Sequence, residues 1–296
     1  MTDEAGFIAS LRGLATGPAA RGLLDDAAVL EFGGEALVLT LDTIVEGVHW
    51  LEGQDFADVA WKLVATNLSD LAAMGATPLG VLLSYSLAGD AADSRFLAGL
   101  AEVLTAYETP LLGGDTVSAT AGPHHFGMTA IGRATSSPVP SRSGAKPGDL
   151  LYLTGTVGSA MLGFEALRDG TDADSTAYRR PQPLLQEGRS LAPLVSAMMD
   201  VSDGLLLDAS RLARASKVSI AITSADVPVA SSERRAECLR WGDDYQLLFT
   251  APAELRLPVT AHRIGEVLPA GDEPLLYLDS EKLADDGTLG FSHAAS

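Results

Sequence analysis

The chain has 296 residues, of which 47% are hydrophobic and 20% charged, and its 39 acidic residues against 20 basic ones give a formal charge of −19. This composition predicts a soluble globular protein of about two domains, and its acidity disfavours nucleic acid and anionic membranes as partners. We expect no transmembrane helix and no secretory signal, and the single cysteine, Cys238, excludes an internal disulfide and a cysteine zinc cluster and favours the cytoplasm.

Apolar runs alternate with helix-like segments along the chain, which is the pattern of an α/β or α+β fold. Strands are predicted at 36–42, 79–88, 126–134, 149–155, 218–222, 245–251 and 274–279. Helices are predicted at 56–74, 93–107, 158–168, 185–198 and 204–216. The stretch at 135–149 is rich in Ser, Pro and Gly and indicates a linker or binding loop. We therefore predict an N-terminal domain over 1–140 and a C-terminal domain over 141–296.

Many aspartates follow apolar runs or lie in glycine-containing turns, where α/β folds build their sites. They are Asp25, Asp26, Asp42, Asp115, Asp200, Asp203, Asp243 and Asp244. Any one of them has an ordinary alternative as a turn residue or helix cap, and Asp203 is placed to cap a helix that starts near Gly204. The group as a whole predicts carboxylates that gather around bound cations.

Asp70 interrupts the segment NLSDLAAMG, whose apolar residues read as the packed face of a helix. A buried carboxylate is costly unless it is neutralised or paired, although Asp70 is also compatible with a partly exposed helix position. Carboxylate-only ligand sets select Mg²⁺, Ca²⁺ or Mn²⁺, and the absence of clustered His and Cys argues against zinc.

The sequence contains no common phosphate-binding motif: it has no GxxxxGK[ST] loop, no kinase HRD or DFG, and no GxGxxG after a strand. Arg142 and Lys146, in SRSGAKPGD, are the candidates for holding an anion, and a solvated linker is the alternative for that loop. His49 follows Asp42 by seven residues and is either a ligand contact or a packed residue.

Six segments in register add a more specific signal. They are LDTIVEGVHW (41–50), NLSDLAAMGATP (67–78), GGDT (113–116), RSGAKPGD (142–149), VSDGL (201–205) and GDDYQLLFT (242–250). Together they resemble the thiamine-monophosphate kinase family, in the ATP-binding superfamily of aminoimidazole ribonucleotide synthetase, from about residue 22 to residue 251. The resemblance implies a homodimer, with a dimerising N-terminal α/β domain, a C-terminal α/β domain and an active site in the cleft between them.

By the same resemblance, the chain would transfer the γ-phosphoryl group of ATP directly to thiamine monophosphate with the help of several Mg²⁺ ions. The implied metal ligands are Asp26, Thr40, Leu41, Asp42, Asp70, Asp115, Asp200 and Asp203, with Leu41 acting through its carbonyl. The implied ATP contacts are Gly114, Asp115, Arg142 and Ser202, and the implied substrate contacts are His49, Asp243 and Phe291. We expect Asp42, Asp70, Asp115 and Arg142 to carry catalysis by positioning and charge neutralisation. The phosphate acceptor is mostly ionised at neutral pH and needs no side-chain base.

The chain departs from the family pattern at three positions: Leu24 stands where the family has Gly, Asp243 where it has Glu, and Phe291 where it often has Trp or Tyr. Two related activities, selenophosphate synthesis and hydrogenase maturation, are disfavoured because the cysteines they need are missing. The alternatives that stay open are a purine-pathway cyclo-ligase of the same superfamily, a metal-dependent phosphatase, and a nucleotide- or Ca²⁺-binding module without turnover.

Overall fold

A computed structural model describes residues 4–118, 122–284 and 287–293. The strands are β1 Ala28–Phe32, β2 Glu35–Val45, β3 Ala76–Leu87, β4 Leu111–Ser118, β5 His125–Ala134, β6 Leu150–Leu153, β7 Ala197–Asp200, β8 Val218–Ile222, β9 Leu247–Ala251, β10 His262–Pro269, β11 Leu276–Leu278 and β12 Glu281–Leu283. The helices are α1 Glu4–Leu11, α2 Phe56–Ala73, α3 Asp90–Ala106, α4 Ser159–Arg168, α5 Thr176–Arg179, α6 Leu185–Leu191, α7 Leu205–Ser216 and α8 Arg235–Cys238. Short 3₁₀ helices cover Pro18–Leu23 and Ser224–Asp226. The predicted mixture of helices and strands is confirmed, and the described strands form two sheets.

The first sheet has the strand order β1-β2-β5-β3-β4 in the described residues, and only β3 and β4 run parallel. Side chains alternate between the two faces of a strand. On β2, Val38, Thr40 and Asp42 face the interior, whereas Leu41 and Thr43 lie on the exposed face. The alternation of this strand therefore decides which of its polar residues reach the interior.

The second sheet has the order β12-β11-β8-β10-β6-β9-β7 across the described part of the chain, and only β11 and β8 are parallel. One of its faces packs with α2 and the first sheet in a shared core that includes Met198 and Phe249. Its other face packs against α7 in a second core. Strand β7 lies at the edge of this sheet, and Asp200 is its last residue.

Helix α2 lies between the two sheets and is buried on nearly all sides, although it carries polar and charged residues among its apolar ones. The Asp55 side chain caps its N-terminus by accepting a hydrogen bond from the Ala57 N–H at 3.0 Å. The helix contacts β2, β3 and β5 of the first sheet and also β7 and α6. It thus places its own polar residues between the two halves of the molecule. None of the helices in the described ranges has the length and apolarity to cross a bilayer.

The contact between α2 and α6 is too close for side chains on both helices. A Cβ atom added at Gly188 would lie 2.0 Å from the Ala72 carbonyl oxygen, and one at Gly75, whose φ is +59°, would lie 2.3 Å from the Ala192 Cβ. At the opposite, N-terminal end of α2, the Asp58 carboxylate forms ion pairs with Arg179 and Arg180. These contacts hold the half of the protein that contains the first sheet against the half that contains the second sheet.

The helix predicted over 185–198 is wrong beyond Leu191. Pro193 has no N–H to donate to the preceding turn, and the chain turns there. Residues Ala197–Asp200 then form β7, because this apolar run pairs with β9 inside the core. The stretch at 169–183, for which no helix or strand was predicted, contains the short helix α5. Strands β1, β4, β7, β10 and β12 were not predicted, and the domain division at 140/141 stays a prediction.

Candidate active site

A cavity of about 590 Å³ opens between the two halves of the protein. Acidic residues from both halves line it, namely Asp42 and Asp70 from the first and Asp200, Asp203 and Asp243 from the second. Aromatic residues and histidines line it as well: His49, Trp50, Phe164, Tyr178, Trp241, Tyr245, Phe291 and His293. The cavity therefore combines a charged part with an aromatic part.

Three of the predicted metal ligands converge. Asp26 lies just before β1, Asp70 in the last turn of α2 and Asp200 at the end of β7, and one carboxylate oxygen from each lies within 4.8 Å of the other two. Burial raises the pKa of all three carboxyls, and the charges of the neighbouring aspartates raise them further. Three carboxylates this close together repel one another, so they need a bound cation if all of them are to be ionised.

The two aspartates of the DDAAVLEF segment have different surroundings. Asp25 accepts hydrogen bonds from the Ser141 hydroxyl at 2.8 Å and from the Arg142 N–H at 2.7 Å, which fixes the loop that carries Arg142. Asp26 Oδ1 accepts from Arg142 Nε at 3.0 Å, whereas its buried Oδ2 has no hydrogen-bond partner among the described residues. An orphaned carboxylate oxygen beside two more carboxylates fits a hard cation such as Mg²⁺.

Asp70 faces the same cluster and is also bonded to the first sheet. Its carboxylate accepts a hydrogen bond from the Thr40 hydroxyl, and Thr40 lies on the interior face of β2 two residues before Asp42. Asp42 is held by a hydrogen bond from its own N–H to Asn67 Oδ1 on α2 at 3.2 Å. Burial, followed by the charges of Asp203 and Asp26, raises the pKa of Asp42 to about 6.

The second half contributes the loop between β7 and α7. Asp200 Oδ2 accepts a hydrogen bond from the Ser69 hydroxyl at 2.5 Å, and the Asp203 carboxylate is paired with Arg211. The buried Asp208 accepts from the N–H groups of Ser202 and Asp203 at 3.1 and 3.0 Å. The N-cap residue of α7 is Gly204, not Asp203, whose carboxylate pairs with Arg211 instead.

Leu41, Gly114 and Asp115 do not join this cluster in a single chain. Asp115 pairs across the sheet with Ser84, which is in register with Thr43 on β2, and this row lies on the exposed face, opposite Asp42. Leu41 is 67% exposed on the same outer face. Gly114 has a packing reason of its own, because a Cβ there would lie 2.0 Å from the Leu83 carbonyl oxygen.

Asp243 and His49 lie in the aromatic part of the cavity. Asp243 has φ of +66° and accepts hydrogen bonds from Lys62 Nζ at 2.8 Å and from the Tyr245 hydroxyl at 3.0 Å. His49 Nδ1 accepts from the Val45 N–H at 3.0 Å, so the neutral ring carries its proton on Nε2. Burial lowers the pKa of His49, which favours this neutral form.

Phe291 also lines the cavity and is 44% exposed. Its N–H donates to the Asp203 carbonyl oxygen at 2.8 Å, and its ring packs edge-on against His293 with the centroids 5.0 Å apart. The His293 ring in turn lies 5.4 Å from that of His49. The predicted aromatic contact is therefore adjacent to both the acidic loop and the histidine.

Several residues around the cavity were not found from the sequence. Lys62 is the clearest of these. Like Asp70, it is a charged residue among apolar ones in a predicted helix, and the sequence alone raises the question of what neutralises its charge. Asp208 and Arg211, which hold the acidic loop, read as ordinary residues of an amphipathic helix and gave no such signal. Leu24, one of the departures, is 43% exposed beside the Asp25–Asp26 pair.

Comparison with known proteins gives consistent results over most of the chain. Residues 24–134 match the AIR synthase related protein, N-terminal domain, and residues 146–274 match its C-terminal domain. The thiamine-monophosphate kinase of Escherichia coli (strain K12) is 38% identical over 254 residues, covering 78% of this chain and 76% of that protein. That of Caulobacter vibrioides is 39% identical over 259 residues, covering 80% and 73%. The structure of AaThiL complexed with AMPPCP and TMP superposes with a TM-score of 0.87 at 27% identity, covering 99% of this chain and 97% of the other.

Proposed function

The chain belongs to the AIR synthase related family and, within it, to the thiamine-monophosphate kinases, and on that premise we propose that it transfers the γ-phosphoryl group of ATP to thiamine monophosphate. The products are thiamine diphosphate and ADP. The observation that carries the proposal is the convergence of carboxylates from both halves of the protein on one cavity that also has an aromatic part. The carboxylates suit a metal-bound polyphosphate, and the aromatic part of the cavity suits a heterocyclic cation such as thiamine.

Asp26, Asp70 and Asp200 are the residues that would hold Mg²⁺, together with Asp42 and Asp203 at the same cavity. When bound, Mg²⁺ neutralises phosphate oxygens of both substrates and so lowers the barrier to direct in-line transfer. Arg142 holds Asp26 in place through an ion pair and so brings a positive charge to the edge of the cluster. Thr40 and Ser69 orient Asp70 and Asp200 by donating hydrogen bonds to them. No side-chain base is required, because the acceptor phosphate is mostly ionised at neutral pH.

The remaining assignments are proposals of the same kind. Ser202 and Arg142 contact ATP, and His49, Asp243 and Phe291 contact thiamine monophosphate. The acidic cluster and the aromatic part of the cavity support this division of roles. We also propose the domain boundary at 140/141, and a cytoplasmic location, which the use of ATP and the single free cysteine favour.

A homodimer is proposed from the outer face of the first sheet. This face exposes large apolar side chains, with Leu41 at 67%, Leu82 at 39% and Val117 at 50%. A patch of this kind is typical of a surface that another protein covers. Asp115, Gly114 and Leu41 lie on or beside this face, so a second copy packed against it would bring these residues close to a neighbouring site. Such a dimer would allow Asp115 to serve ATP and metal at that neighbouring site, although in its own chain it lies on the sheet face opposite Asp42.

The proposed function is tested by incubating the protein with ATP, Mg²⁺ and thiamine monophosphate and measuring thiamine diphosphate and ADP. Equal amounts of the two products are expected. Release of inorganic phosphate without ATP would instead indicate a phosphatase. Binding of ATP without turnover of thiamine monophosphate would indicate another member of the superfamily or a binding module.

A further inference from the structure

Lys62 is a fully buried cation in the middle of α2, and the mechanism above gives it no role. Its side chain is 0% exposed, and its Nζ donates hydrogen bonds to Asp243 at 2.8 Å and to the His49 carbonyl oxygen at 2.9 Å. The same Nζ lies 3.9 Å from the centroid of the Tyr178 ring. Burial lowers the pKa of Lys62, and Asp243 opposes that shift. A lysine is rarely buried this deeply unless its charge is used.

The Lys62 ammonium holds one oxygen of Asp243, and a second group holds the other. Oδ2 accepts from Lys62, and Oδ1 accepts from the Tyr245 hydroxyl at 3.0 Å. The backbone is fixed too, because the Asp243 N–H donates to the Ser202 carbonyl oxygen at 2.8 Å. Each carboxylate oxygen has two acceptor positions, so each keeps one free. Asp243 is therefore a rigid carboxylate, 23% exposed at the cavity, that accepts hydrogen bonds and donates none.

This pair acts mainly on other groups than the acidic cluster does, although the charges of both raise the pKa of Tyr245. The charges that shift the pKa values of Asp26, Asp70 and Asp200 are those of other aspartates and Arg142. Asp243 acts instead on Lys62, His49 and Tyr178. Lys62 and Asp243 thus belong to the aromatic part of the cavity, where the organic portion of a substrate would lie.

We propose that Lys62 is a positioning residue that holds Asp243 as an acceptor for the amino group of the substrate's aminopyrimidine ring. The proposal rests on the proposed function and adds the determinant of selectivity for that ring. The neutral His49 supplies an N–H donor at Nε2 in the same part of the cavity. A donor beside a fixed acceptor matches a ring that presents an amino group next to a ring nitrogen. An analogue with oxygen in place of the amino group would put two acceptors face to face.

The test compares thiamine monophosphate with its 4-oxo analogue, oxythiamine monophosphate, in wild type, Lys62→Met, Asp243→Asn and the double variant. Binding of each compound is followed by tryptophan fluorescence without ATP, and KM and kcat are measured for both substrates. Wild type should prefer the amino compound by about a hundredfold or more, as expected for a site built around a hydrogen-bonding group. Lys62→Met should reduce that preference at least tenfold and raise KM for thiamine monophosphate, while KM for ATP changes less than about threefold.

The double variant separates positioning from a general structural role. If Lys62 acts through Asp243, adding Lys62→Met to Asp243→Asn should change the preference by less than about twofold. An unchanged preference in Lys62→Met, or an equally large effect in the Asp243→Asn background, would overturn the inference. If Lys62→Met fails to fold, the comparison of wild type with Asp243→Asn decides the inference. An equal preference of these two proteins for thiamine monophosphate over its 4-oxo analogue also overturns the inference. A wild type that does not bind thiamine monophosphate would overturn the proposed function along with it.

Discussion

The two parts of the cavity handle buried charge in opposite ways. In the acidic cluster, Asp26, Asp70 and Asp200 face one another, Arg142 pairs with Asp26 alone, and one Asp26 oxygen has no hydrogen-bond partner among the described residues. In the aromatic part, Lys62 and Asp243 neutralise each other within the chain. The first arrangement is completed only by a ligand that brings positive charge, whereas the second is complete beforehand. The comparison indicates that the acidic cluster is suited to receive positive charge from a ligand, whereas the Lys62–Asp243 pair is suited to offer fixed hydrogen bonds.

The largest expected effect is on catalysis at the acidic cluster. Replacing Asp42 by Ala should lower kcat by roughly a hundredfold or more, because loss of this proposed metal ligand would remove about 2.7 kcal/mol or more of charge stabilisation. The measurement is the rate of thiamine diphosphate formation at saturating ATP and Mg²⁺. A matched control is Asp272→Ala, which removes an exposed carboxylate of the second half and should leave kcat unchanged. Near-normal turnover of Asp42→Ala would remove this residue from the mechanism.

The next effect is on stability in the aromatic part. Asp243→Ala leaves the buried Lys62 ammonium without its partner and should lower the free energy of unfolding by about 1–3 kcal/mol, less than for a fully buried pair because Asp243 is 23% exposed. Denaturant unfolding measures it. Combining Asp243→Ala with Lys62→Met should recover most of the loss. Full stability of Asp243→Ala alone would show that the pair is dispensable for folding.

In the acidic cluster without metal, removing a charged residue should increase stability rather than decrease it. Asp70→Asn removes one like charge from the buried group and should raise the melting temperature in EDTA at pH 8 by a few degrees, or about 1 kcal/mol. The same variant should lose activity. A lower melting temperature than that of wild type would mean that the cluster is already neutralised within the chain, contrary to the comparison above.

The smallest expected effect is on pH dependence. The pKa of Asp42 is raised from 3.8 to about 6, so the folded protein binds this proton more tightly than the unfolded chain. Its contribution to stability is therefore present below about pH 4 and lost as pH rises through about 6. Mg²⁺ should raise the melting temperature more at pH 8 than near pH 5.5, because protonated carboxylates do not bind the metal. Calorimetry with Mg²⁺ or EDTA measures this, and equal shifts at both pH values would contradict it.

The aspartates that follow apolar runs indicated an acidic site, and the family resemblance named Asp26, Asp70 and Asp200, which the structure brings together. Only the helix that carries Asp70 was readable from its periodicity, because β1 and β7, next to Asp26 and Asp200, were not predicted. The sequence did not predict the position of Asp115. Strand β4 is exposed along its whole length and contains two glycines, so neither apolar alternation nor β propensity revealed the strand or its face. The helix over 185–198 was extended too far because apolar periodicity cannot distinguish a short buried strand from the end of a helix. Lys62 is the opposite case: a lysine among the apolar residues of a predicted helix is a visible signal in the sequence, yet the sequence prediction did not include it.

The close contact between Gly188 and Ala72 has a consequence for how the protein unfolds. With backbone packed directly on backbone between α6 and α2, and with α2 shared by both sheets, separating the halves would open the common core to water. The two halves should therefore melt in a single cooperative transition. Because Ser69 and Asp70 on the shared helix face Asp200 from the other side, we expect the geometry of the acids to persist for as long as the whole fold does.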